Sequence, residues 1–208
     1  MRYRQWPASA GRGLYGSGVR IAVSSVAALL VLAGCGGGGG SGTSLDPGPT
    51  VAGFAFTERS SVAEGEAIDP HFTCDGEDVS PRLVWKGVPE GTVELVLAVD
   101  DPDAPGGTFT HWLAYGLEPS ATELPSGSNS EGWTGYAPLF PQGKNDFGDV
   151  GYGGPCPPRG KEHRYVFRLL ALRAPSGLED EASRKAFDEA VAPHVLAEAR
   201  LTATYERS

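Results

Sequence analysis

The chain has 208 residues, of which 40% are hydrophobic and 21% charged, a globular composition with room for one substantial core rather than two. Its formal charge is −9. That acidity excludes nucleic acid as a partner, because phosphate binding is carried by an excess of lysine and arginine, and it supplies no polybasic attraction to anionic lipid.

Arg2, Arg4, Arg12 and Arg20 precede Cys35, and no acid does. Ile21 to Ala33 is an uncharged, almost wholly apolar run of 13 residues. It is too short for a bilayer core, which needs roughly 20 residues, and has the length of a signal-peptide hydrophobic region. Leu32-Ala33-Gly34-Cys35 follows and resembles the lipobox of bacterial lipoproteins, in which the cysteine is acylated and becomes the mature N-terminus. The expectation is a signal peptide over 1–35 and an exported protein held at a membrane through lipidated Cys35, facing the periplasm or the cell surface. Removing the four arginines leaves 13 bases against 26 acids, a net −13. Residues 36–50, GGGGGSGTSLDPGPT, have little apolar surface to bury and read as a flexible tether. The run of five glycines at 36–40 follows no strand and opens no helix, so a phosphate loop is excluded. A soluble domain over 51–208 remains.

Within that domain the periodicity is that of strands. Phe54 and Phe56 alternate with small residues, and Leu83-Val84-Trp85 is a short apolar run. Val93 to Val99 (VELVLAV) reads as a buried central strand, Phe109 to Leu117 as another, and Tyr165 to Leu172 (YVFRLLAL) as a third long one. Proline and glycine punctuate the intervals, from Pro81 through Pro105-Gly106-Gly107 to the irregular stretch Ser126–Pro158. Short strands with frequent turns predict an antiparallel sandwich rather than a parallel βαβ sheet. A helix is expected over about Asp180–Val191, with Phe187 and Val191 four apart. Pro193 should open a second short helical turn buried through Val195, Leu196 and Ala199. Leu201 to Tyr205 (LTATY) alternates as a last strand.

Four polar islands interrupt these strands: Thr73-Cys74-Asp75-Gly76, Asp100-Asp101-Pro102-Asp103-Ala104-Pro105, Phe109-Thr110-His111-Trp112, and Gly151 to Pro158 leading to His163-Arg164-Tyr165. Each has a plain structural explanation. A DPDAP segment forms Asx turns without any ligand, and a single histidine in a strand is usually a core residue with its bonds made. Together they describe something more specific, because rigid loops holding a few polar groups over an apolar scaffold are what binding sites need.

The same segments, DPDAP, then FTHW, then YGGPCPPRGKEHRYVF, with CDGEDVSPRLVW upstream, resemble the phosphatidylethanolamine-binding protein family, in particular its bacterial Raf-kinase-inhibitor-like branch. The resemblance runs from about Phe54 to Tyr205. It implies a mainly β fold, an antiparallel Greek-key β-sandwich of two sheets with one or two short C-terminal helices. It also implies a pocket for small anions such as phosphate or a phosphorylethanolamine head group. By that resemblance Asp101 and Asp103 are the pocket-side aspartates, His111 and His163 the pocket histidines, Tyr165 the nearby tyrosine, and Pro155, Cys156 and Pro157 the pocket wall. Phe109 stands where many eukaryotic members have tryptophan, and Tyr205 is a candidate for the C-terminal tyrosine those members use.

The chemistry is self-consistent. Protonated histidine donates to a phosphate, backbone N–H groups of the Gly-Pro-Cys loop add donors, and an aspartate either orients a histidine or accepts from an ammonium group. No cofactor or metal is expected, since no C-x₂-C or H-x₃-H spacing occurs. An enzyme built on His111, His163, Asp101 and Asp103 is the weaker reading, because neither a Gly-x-Ser-x-Gly elbow nor HExxH is present. A further alternative is an inhibitor of a protein partner with a vestigial pocket. With Cys35 assigned to lipid, Cys74 and Cys156 remain, either as a disulfide, as export would favour, or as two reduced thiols.

Overall fold

The computed structural model describes residues 45–128 and 140–208. Among them, seven strands and one α-helix follow in the order β1 (Ala55–Phe56), β2 (Leu83–Lys86), β3 (Glu94–Asp101), β4 (Phe109–Leu117), β5 (Glu123–Leu124), β6 (Glu162–Leu172), α1 (Arg184–Val191) and β7 (Val195–Glu206). Every strand pairing is antiparallel. A small sheet has the order β1–β2–β5 and a larger one the order β4–β3–β6–β7. The mainly β fold of two antiparallel sheets read from the sequence is the fold observed. Residues 1–35, expected to be a signal segment ending at Cys35, lie outside the described residues, as does the 129–139 portion of the irregular stretch.

Leu83, Trp85 and Leu124 of the small sheet bury against Leu95, Leu97, Val99, Phe167 and Leu169 of the large one. The opposite face of the large sheet is covered as well: Val96, Ala98, Leu113 and Leu170 pack with Phe187 and Val191 of α1 and with Leu45. Successive strand residues face opposite sides, so a strand covered on both faces reads as an unbroken apolar run. All eight residues of β3 are buried, which explains why Leu95 to Val99 shows no alternation. Phe187 and Val191, one helical turn apart and fully buried, each contribute about 1.5–3 kcal/mol of apolar burial.

β3 runs two residues past Val99 and β6 begins three before Tyr165, and three further boundaries differ from expectation for causes elsewhere in the chain. The helix begins at Arg184, not Asp180, because 180–182 are bonded elsewhere. Asp180 accepts from the Gln142 N–H, Glu181 donates to the Gln142 carbonyl with φ at +65°, and the Ala182 carbonyl accepts from Lys144. Ser183 then caps the helix, its hydroxyl accepting from the Ala186 N–H. The second helical turn is only Ala192–His194. Val195, Leu196 and Ala199 belong to β7, where an eleven-residue register with β6 overrides the helical preference of the alanines. Finally, the flexible tether expected over 36–50 does not extend to its end. Leu45 is buried, and Arg168 of β6 donates to the carbonyls of Leu45 (2.8 Å) and Asp46 (2.9 Å). Glu198 of β7 accepts from the Gly48 N–H (2.6 Å) and donates its own N–H to Pro49 (2.8 Å). Arg168 and Glu198 also pair with each other through two bonds of 2.9 Å, almost fully buried.

Candidate functional site

One end of the large sheet gathers the polar islands. β3 ends there at Asp101, β4 begins with Phe109 and His111, β6 begins beside His163, and β7 has just ended before Arg207. Antiparallel pairing brings these four positions together although they lie up to 106 positions apart in the chain. They line a cavity of about 360 Å³. Its polar wall is Asp101, His111, His163 and Arg207. Its apolar wall is formed by Phe109 and Phe147 with Pro105, Pro157 and Pro158, and Cys156 also borders it.

Both histidines have one ring nitrogen committed. His111 Nδ1 lies 2.6 Å from the Gly153 carbonyl, while the Gly153 N–H donates to the His111 carbonyl at 2.9 Å. A carbonyl accepts only, so Nδ1 carries the proton and, in the neutral ring, Nε2 carries the lone pair. The ring sits among Phe109, Phe147 and Tyr165, with centroids 5.1, 5.4 and 5.2 Å away. Burial in this setting pushes the His111 pKa below the ordinary imidazole value, against the raising effect of the Gly153 carbonyl. His163 Nδ1 lies 2.7 Å from Asp101 Oδ2 in a pair that is almost fully buried. The other oxygen of that carboxylate accepts from the Asp103 N–H (2.8 Å), an Asx turn that fixes its orientation. In each ring the Nε2 edge is the one left for the cavity.

The wall opposite is braced against the segment around residue 74. Cys74 and Cys156 are joined by a disulfide, with a Cα separation of 5.5 Å. Beside it the Cys74 N–H donates to Pro155, the Tyr152 hydroxyl to Phe72, and the Gly154 N–H to Asp78. Gly154 is required by this approach: a Cβ there would lie 2.4 Å from the Phe72 carbonyl oxygen. At Gly153 a Cβ would lie 2.6 Å from the Phe147 ring, which closes the apolar wall.

A family model described as phosphatidylethanolamine-binding protein matches residues 58–206. The chain belongs to the phosphatidylethanolamine-binding protein family. A UPF0098 protein of Aquifex aeolicus is 46% identical over 153 residues, 71% of this chain and 85% of the relative. LppC of Mycobacterium tuberculosis, named as a candidate lipoprotein, is 39% identical over 149 residues, 69% of this chain and 68% of the relative. The crystal structure of Escherichia coli YbcL, described as a member of the mammalian phosphatidylethanolamine-binding protein family, superposes with a TM-score of 0.70 at 33% identity. It covers 76% of this chain and all of that one. Among the described residues, no helix is long and apolar enough to cross a membrane, and no group of three or more His, Cys, Asp or Glu is arranged to hold a metal.

Of the residues that the family motifs nominate, Asp101, His111, Cys156, Pro157 and His163 line the cavity, and Asp103, Pro155 and Tyr165 do not. Asp103 turns to the surface, where Arg164 grips both of its oxygens at 2.6 and 2.8 Å and holds its pKa down at about 2. Arg164 follows His163 in a strand, so it faces the opposite side, and Asp103 goes with it. Pro155 is buried behind the wall. Tyr165 is buried beneath His111, and its hydroxyl makes no hydrogen bond among the described residues. Tyr205 stands back from the cavity, its hydroxyl donating to Asp75 at 2.9 Å. Sequence reasoning missed Arg207 and Phe147. Neither carries a local signal: Arg207 is one charge near the C-terminus, and Phe147 one aromatic in a glycine-rich loop.

Proposed function

We propose that the protein is a non-enzymatic binding protein that takes a small phosphate-type anion in the cavity between β4 and β6, the anion being free or part of a phospholipid head group. It is exported with residues 1–35 as its signal segment and held at the extracytoplasmic side of a membrane by lipid on Cys35. Modulation of a protein partner through ligand occupancy is part of this reading. The observation that carries it is the pair of imidazoles whose Nδ1 atoms are already bonded, to Gly153 and to Asp101, which leaves two Nε2 edges at one cavity. Charge-assisted donors of this kind suit an oxyanion. Membership of the phosphatidylethanolamine-binding protein family and the likeness to LppC support the ligand class and the anchoring.

The test is calorimetric titration of phosphorylethanolamine and of sulfate into the purified protein, beside His111→Ala and His163→Gln. Each substitution should weaken binding at least about tenfold, the value of one charge-assisted hydrogen bond. A folded wild-type protein that binds neither anion would sink the reading.

A pH dependence follows. Neutral His111 presents a lone pair at Nε2, and it must take up a proton to donate there. Sulfate does not titrate near neutrality, so its affinity should rise as pH falls from 7.5 to 5.5, with proton uptake visible as a dependence of the binding heat on buffer. Without anion the sign for stability is opposite. The folded pKa of His111 lies below its unfolded value of about 6.5, so the unfolded chain binds the proton better. The stability contribution is complete above about pH 6.5 and declines as pH falls toward the folded pKa. Added sulfate should reverse that decline, and a melting temperature indifferent to sulfate at pH 5.5 would contradict the coupling.

A further inference from the structure

Among the described residues, Arg207 is the one permanently charged cation on the cavity wall. It lies just beyond β7, where its carbonyl accepts from the Gly160 N–H at 2.9 Å and its side-chain bonds orient the guanidinium. Nε approaches both Asp75 oxygens at 3.1 Å and Nη2 donates to Oδ1 at 2.8 Å. The Tyr205 hydroxyl steadies the same carboxylate, and Asp75 neighbours the disulfide-bonded Cys74. The guanidinium is therefore fixed on one edge, its side chain 23% exposed, while Nη1 bonds no described residue. Asp75 does not line the cavity, so this ion pair turns its positive end inward.

We propose that Arg207 makes the cavity selective for tetrahedral dianions over carboxylate monoanions, an inference that rests on the anion reading above. The charges on the wall decide it. The Asp101 carboxyl is taken up by the His163 ring at 2.7 Å and so does not stand alone on the wall. Burial disfavours the protonated form of His111, and a bound anion would favour it. Arg207 adds a permanent positive charge to the wall, and a fixed cation attracts a dianion more strongly than a monoanion. Geometry points the same way. His111, His163 and Arg207 approach from the ends of three different strands, which gives three donor directions. A sulfate or phosphate group has oxygens for all three, and a carboxylate has two.

The experiment titrates sulfate and acetate separately into the full-length protein, wild type, Arg207→Gln and Arg207→Lys, at pH 6 and constant ionic strength, with thermal melts of each variant. Arg207→Gln should weaken sulfate by about 10- to 100-fold, the range for a lost charge-assisted bond, and leave acetate within about threefold. Arg207→Lys, which keeps the charge but not the fork that grips Asp75, should recover part of the sulfate affinity and none of any loss in melting temperature. An unchanged sulfate-to-acetate ratio in Arg207→Gln overturns the role given to Arg207 while leaving the anion site standing. Equal weakening of both anions with a lowered melting temperature assigns Arg207 a structural role and overturns it too. Wild-type protein that binds neither anion removes the underlying anion reading itself.

Discussion

Arg168→Ala should destabilise the domain by about 3–5 kcal/mol, the cost of leaving a buried charge without its partner. Arg168 and Glu198 are 7% and 4% exposed, and the arginine uses all three of its nitrogens, toward Glu198, Leu45 and Asp46. Truncation takes the counter-charge from the Glu198 carboxylate, which keeps only the Gly48 N–H, and the donor from two backbone carbonyls. For a domain of this size that corresponds to a fall in melting temperature of roughly 10 °C. The double variant Arg168→Met/Glu198→Leu removes both charges at similar volume and should return most of that stability, because two buried charges replaced by apolar groups leave nothing unpaired. In that variant residues 45–49 nevertheless lose their fastening. Amide exchange at Gly48, whose N–H donates to Glu198, should accelerate even as the melting temperature recovers. A loss below 1 kcal/mol in Arg168→Ala would mean that water reaches this pair.

The second large effect concerns the disulfide. Cys74 and Cys156 are separated by 82 positions, and closing a loop of that length restricts the unfolded chain by about 4 kcal/mol in the chain-entropy model. The double Cys74→Ser/Cys156→Ser variant should lose that amount in denaturant unfolding. Its affinity for sulfate should stay within about twofold. The reason is that the folded wall has other braces: Tyr152 to Phe72, Gly154 to Asp78 and Cys74 N–H to Pro155. Stability and binding therefore separate in this variant, and a parallel loss of both would show that the covalent bond shapes the folded wall directly.

What was legible in the sequence follows from where the information is stored. β3, β4 and β6 were readable because their burial is written into contiguous residues, as an apolar run where both faces are covered and an aromatic-rich alternation at β4. The first half of β7 was misread because Val195 to Ala199 is compatible with helix, and the register with β6 that decides the matter comes from elsewhere in the chain. The site divides in the same way. Asp101, His111 and His163 sit in motifs whose order and spacing identify the family. Arg207 reaches the cavity only because β7 lies beside β6, and no local pattern records that. Asp103 shows the converse: a motif residue two positions from Asp101, drawn to the surface by Arg164, a partner that sequence cannot assign to it.

If Cys35 carries lipid, as proposed above, the fastening of residues 45–49 sets the length of the leash. The sequence places the start of the domain at 51, but among the described residues the fold already holds the chain at Leu45, ten positions beyond Cys35. Fully extended, ten residues span at most about 35 Å. Under the lipid-anchored reading, the point where the chain enters the fold therefore stays within that distance of the bilayer surface, close enough to meet head groups of its own membrane and too close to patrol the far side of a wide periplasm.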